Sequence, residues 1–224
     1  MLASFVFGRV LSNSTHFNPR PLIARHLLAS LSSHLTDQGL PWLYAIGALL
    51  MGGFVALYNY VGYHLLGAPY HLSQAEVGWI FGLYLVGTFS SAWMGRLADR
   101  FGRSKVLLAG VQLMLAGVSM TLASGLAVIV TGVAVFTFGF FGAHSIASGW
   151  VGQRALTARA QASALYLLCY YLGSSVVGSA GGLAYEHEGW PGVVVMVAGL
   201  LLLALVAATA VGGEDRRARL SQEG

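Results

Sequence analysis

Charge is scarce in this chain of 224 residues: only 9% are Asp, Glu, Lys or Arg, against roughly 25% in a soluble globular domain. With 56% hydrophobic residues and a mean hydropathy of +0.70, that scarcity excludes an ordinary soluble domain. The one cysteine, Cys169, lies in an apolar run, so there is no disulfide framework and no redox pair. No cofactor and no metal are expected. The net charge of +4 is confined to connections between apolar segments, which argues against a nucleic-acid partner. What is plentiful is glycine, 30 residues without a collagen-like period. In apolar helices glycine lets backbones approach closely within lipid. The composition predicts an all-α integral membrane protein.

Residues 1–8 are apolar but too short to cross a bilayer, which needs about 20 helical residues. They read as the remnant of a preceding transmembrane helix. Residues 9–41 read as a polar linker, with an amphipathic helix between Pro21 and Asp37 whose Ile23, Leu27, Leu31 and Leu35 recur every fourth position. It suits a membrane surface or, equally, packing against neighbouring loops. Within 42–211, six spans are predicted, at 42–63, 76–93, 106–123, 126–148, 162–185 and 192–211, with a tail at 212–224.

The connections 67–75, 124–125 and 186–191 contain no Lys or Arg; all 12 basic residues lie on the alternate side. The positive-inside rule makes that side the cytoplasm and puts both termini there. Trp42, Trp93 and Trp150 fall near the cytoplasmic ends of spans, and Trp79 and Trp190 near the outer ends, as interfacial rings do.

Inside the spans, small residues recur at four-residue spacing: Ala48, Gly52 and Ala56; Gly139, Ala143 and Ala147; Ser174, Gly178 and Gly182. They predict close helix contacts. No Lys, Arg, Asp or Glu occupies a span interior, so polar side chains at membrane depth carry the functional signal. His144 is the one imidazole there, with Thr137 and Ser148 on its helix face. Asn59 and Tyr63, with Tyr60 beside them, and Tyr166, Tyr170 and Ser174 form two further polar faces. Asn59, Tyr60, Tyr63, Thr137, His144 and Tyr170 are the candidate pathway residues. Static packing for His144, and interfacial placement for the tyrosines, are the competing readings.

Residues 95–105, Gly-Arg-Leu-Ala-Asp-Arg-Phe-Gly-Arg-Ser-Lys, form a basic hinge between two spans, with Asp99 expected to cap the following helix. This hinge resembles the signature loop of the major facilitator superfamily of transporters, Gly-x-x-x-Asp-Arg-x-Gly-Arg plus a basic residue. Here Ser104 takes the last basic position and Lys105 follows. The segments 52–63, 139–150 and 166–175 resemble the bacterial inner-membrane drug and sugar exporters of that family. The resemblance implies one half, the C-terminal one, of a twelve-helix bundle. It further implies proton-coupled efflux of a small solute by alternating access. Gly95, Asp99, Arg100, Gly102 and Arg103 would then be the conformational lock, and the partners the bilayer, the solute and an N-terminal six-span half or a second copy. The acidic residues that couple such exporters to protons are absent.

Two other readings compete. An accessory six-span subunit or gene fragment fits a chain without its other half. An intramembrane serine protease would use Gly178-Ser-Ala-Gly181 with His144, but the order of its serine and histidine spans is reversed.

Overall fold

The computed structural model describes residues 24–223, and among them every element is helical. Helix α1 covers Ala24–Leu35, α2 Leu40–Leu66, α3 Gln74–Phe81, α4 Tyr84–Phe101, α5 Arg103–Met120, α6 Leu126–Arg154 and α7 Arg159–Glu223. The expected remnant at 1–8 and the linker up to residue 23 lie outside the described residues.

Among the described residues four stretches are long and apolar enough to cross a bilayer: Leu40–Leu66, Gln74–Phe101, Leu126–Arg154 and Arg159–Glu214. Helix α5 opens on Arg103 and Lys105, and its charged first turn keeps this 18-residue helix out of that set. The last stretch, at 56 residues, would measure about 84 Å if straight, far beyond a hydrocarbon core of ~30 Å. It is not straight. Gly189 is non-helical, with φ 62° and ψ −151°. Before it, α7 runs parallel to α2: Ala48 meets Gly173, and Tyr60 meets Gly181. After it the chain folds back, so that Trp190 stacks on His64 and Val197 reaches Gly53. The six-residue loop expected at 186–191 thus contracts to one non-helical glycine.

The second predicted span is interrupted. Between α3 and α4 the N–H groups of Gly82, Leu83, Leu85 and Val86 bond to carbonyls three residues back. This is the tighter 3₁₀ pattern, which apolar periodicity does not register. Helices α4 and α5 both pack on α6. Gly117 of α5 lies against Gly132 and Phe136, and Gly110 against Gly139 and Ala143, so α5 and α6 are antiparallel. Helix α4 runs parallel to α6, with Ser90 donating to the Phe138 carbonyl and Met94 seated on Gly142.

The connections sort to two ends. At one, Trp190 Nε1 donates to the Thr121 carbonyl at 3.0 Å and the Tyr70 hydroxyl to the Ser124 carbonyl at 3.1 Å. At the other, Arg154 meets Asp37, and Gly212 and Arg216 lie beside Gly102 and Lys105. The cations of 95–105, Arg154 and Arg216 share this second end, and Arg159 follows Arg154 within the same connection.

Asp37 ties that end together. Its Oδ1 accepts from Arg154 Nε at 2.6 Å and from the N–H groups of Gly39 and Leu40 at 2.8 and 2.7 Å, where α2 begins. Partial burial raises its pKa, but the Arg154 bond, the two N–H bonds and the Arg154 charge together hold it below the ordinary value. A carboxyl with a depressed folded-state pKa stabilises the fold above its unfolded pKa, and that stabilisation is lost as pH falls through the folded value. Asp37→Asn is therefore expected to cost about 1–2 kcal/mol at neutral pH, discounted for partial exposure. The wild-type advantage in detergent melting temperature should disappear as pH drops below the carboxylate range; a constant difference would rule the charge out.

Candidate functional site

Gly102 makes the hinge. With φ 91° and ψ 142° it reverses the chain alone, donating its N–H to Ala98 O at 2.9 Å. That geometry is close to glycine-only. It also overturns the expected cap: Asp99 sits inside α4, and α5 starts directly after Gly102 with no side-chain cap. A one-residue reversal leaves no place for a capping side chain. A methyl group on Gly102 would meet nothing within 4 Å, so its cost is backbone strain alone. Gly102→Ala should lower unfolding stability by about 1–3 kcal/mol, read from thermal midpoints in detergent; an unchanged midpoint would contradict this geometry.

Gly95, Asp99 and Arg103 line one wall of an open cleft of about 160 Å³, with Ser145, Gly149 and Gln153 of α6 on the other. Methyl groups on Gly95 or Gly149 would also meet nothing within 4 Å. Asp99 is exposed and makes no ion pair among the described residues. Arg100 instead lies over the Phe101 ring, 5.1 Å from its centroid.

The candidate pathway residues separate into groups. His144 Nδ1 is 2.9 Å from the Tyr166 hydroxyl, and its ring lies 4.8 Å from Tyr170 and 5.8 Å from Phe140. Tyr166 is buried and presses on Gly47, so α2 and α7 jointly hold the imidazole's partner in place. Thr137 is fully buried, bonded to the Tyr58 hydroxyl at 2.7 Å and to the Val133 carbonyl. It belongs to the core between α2 and α6 and does not face open space. Asn59, Tyr60 and Tyr63 lie nearer the opposite end, where with Tyr185 they line a pocket of about 340 Å³. The Tyr60 hydroxyl donates to Gly178 O at 3.0 Å.

Between these groups runs a set of rings that sequence reasoning missed. Tyr84 lies 4.8 Å from Tyr58 and 6.0 Å from Phe141, while Phe54 stacks on Phe140 at 3.9 Å. The rings come from three helices, and no single-helix pattern links them. The protease pairing is not assembled: Ser179 donates to Ser175 O at 2.9 Å, and His144 is engaged with Tyr166.

The family model described as Major Facilitator Superfamily matches residues 43–224. The chain belongs to the major facilitator superfamily. It is 51% identical over 209 residues to the inner membrane transport protein YnfM of Escherichia coli, covering 93% of this chain and 50% of that protein. To the MFS-type transporter YybF of Bacillus subtilis it is 50% identical over 205 residues, 92% of this chain and 51% of the relative. The chain thus spans about half the length of these relatives. Among solved structures, the E. coli fucose:proton symporter FucP superposes with a TM-score of 0.72 at 15% identity, over 93% of this chain and 52% of that one. A bacterial homologue of ferroportin in its outward-facing state gives 0.67 at 17% identity, over 95% and 52%. These likenesses show a shared fold. The family and its relatives are transporters rather than enzymes, and this member is a multi-pass membrane protein.

Proposed function

We propose that this chain supplies the C-terminal six-span half of a major facilitator transporter that moves a small solute by alternating access, with efflux as its direction and protons as its coupling ion. Six crossings follow if the 3₁₀ break is internal to one span, α5 counts as a short span, and α7 contributes two limbs joined at Gly189. The observation that carries the reading is the hinge. Gly102 turns between two helices at the cation-rich end, and Asp99 opens onto an unfilled cleft. A helix from an N-terminal half or a second copy would complete that cleft, with Arg100 and Arg103 alongside. The gathering of cations at this end supports cytoplasmic termini in a bacterial inner membrane. His144, Tyr170 and the rings around Phe141 would line the route at mid-depth, with Asn59, Tyr60 and Tyr63 toward its outer mouth.

The test uses the full-length transporter with Cys169→Ser and single cysteines at Asn59 or Gly149. Alternating access predicts reciprocal labelling by a membrane-impermeant maleimide: conditions that expose one position protect the other. Simultaneous constant labelling of both positions would defeat the mechanism. Labelling of the two from the same aqueous side would defeat the topology.

A further inference from the structure

An apolar trench of about 720 Å³ opens between α4 and α5. Both helices pack on α6 and touch each other sparsely, so the wedge above Met94 and Val106 stays open. Its walls include Trp93, Leu97, Phe101, Ala109 and Leu113, with Gln112 as an exposed polar group partway down. From Lys105 at the charged end to Ala116 the helix rises about 16 Å, roughly half of a ~30 Å hydrocarbon core. The trench is therefore one leaflet deep.

Its mouth is cationic. Lys105, the chain's single lysine, lines it, and Arg100 lies over Phe101, another of its walls. Among the described residues no carboxylate lines it; Asp99 opens onto the separate cleft beside Gly149. The trench also lies apart from the aromatic face, which α4 reaches through Tyr84 and Gly87 against Phe141.

We propose that this trench is a binding site for an anionic phospholipid of the adjacent leaflet, one acyl chain lying along α5 and the phosphate held by Lys105 and Arg100. Apolar walls of single-leaflet depth suit a chain and leave a soluble anion nothing to gain from them. Two cations without a carboxylate suit a phosphodiester whose remaining headgroup is uncharged; the ammonium of a zwitterionic lipid would face like charge. The site does not depend on the solute carried or on the direction of transport.

The full-length transporter purified in detergent, offered phosphatidylglycerol or phosphatidylcholine of matched acyl chains, tests this by native mass spectrometry. Each cation near the headgroup is expected to contribute about fivefold, so phosphatidylglycerol should be retained at least fivefold better. It should also slow acylation of Lys105 by an amine-reactive ester. Lys105→Gln should reduce the preference about fivefold, and Ala109→Trp, which fills the trench, should reduce retention of both lipids. Circular dichroism and elution volume confirm that both variants fold. Arg217→Gln, an exposed cation paired with Glu214 outside the trench, should leave the preference intact. Equal retention of the two lipids overturns the proposal, as does an unchanged preference in Lys105→Gln. An equal loss in Arg217→Gln would reduce the effect to bulk surface charge, and protection of Lys105 by inorganic phosphate would make it a soluble-anion site; either result also overturns it.

Discussion

Gly173→Val is expected to unseat α2 from α7 and to remove at least about 3 kcal/mol of stability, the upper range for overpacking. A Cβ at Gly173 would lie 2.1 Å from the Ala48 carbonyl oxygen and 2.6 Å from the Ala48 carbonyl carbon and Cα. These are backbone atoms, so no rotamer change relieves the clash; the helices must separate. Separation would also withdraw Tyr166 from Gly47 and loosen its bond to His144. The control is Gly199→Val on the second limb, where an added Cβ meets nothing within 4 Å. Its stability should stay within about 0.5 kcal/mol of the parent. Elution profiles after heating in detergent measure both. Equal survival of the two variants would show that the contact between α2 and α7 is dispensable.

The second large effect is functional. Asp99→Asn in the full-length transporter is expected to slow transport on the order of tenfold while insertion remains intact. Asparagine keeps the shape but loses the charge. A hydrogen bond to a charged group is worth about 1.5–3 kcal/mol against about 0.5–1.5 for a neutral one, and the difference of about 1–1.5 kcal/mol is roughly five- to twelvefold in an equilibrium. In this chain alone Asp99 is exposed and without an ion pair among the described residues, so the same substitution should change its melting by under about 0.5 kcal/mol. Initial transport rates and melting curves together test the claim. An undiminished rate would leave Asp99 as a solvated surface carboxylate.

Much of this architecture was legible in the sequence because a bilayer punishes exposed backbone and buried charge, leaving long apolar helices and cations at one end. Ala48 and Gly52 of one stripe and Gly139 and Ala143 of another do meet neighbouring helices. Gly173, Gly110 and Gly117 escaped notice because a contact depends on which helix lies opposite, and spacing within one helix does not reveal that. The same holds for Tyr166, grouped with Tyr170 on its own helix but committed by the fold to His144 on another. Thr137 shares a helix face with His144 yet ends in the core, because Tyr58 reaches across from α2 to meet it. The expected Asp99 cap fails because the sequence shows a polar hinge but not that Gly102 turns it unaided.

The parallel seating of α2 on the first limb of α7 bears on biogenesis. Ala48 is made before its Gly173 contact, which is synthesised roughly 125 residues afterwards, on the order of ten seconds at ~5–20 residues per second. During that interval the face of α2 that seats Gly173 is without that partner. Ribosome stalling between α6 and α7 should therefore yield a nascent chain whose α2 is still open to crosslinkers, and release should close it.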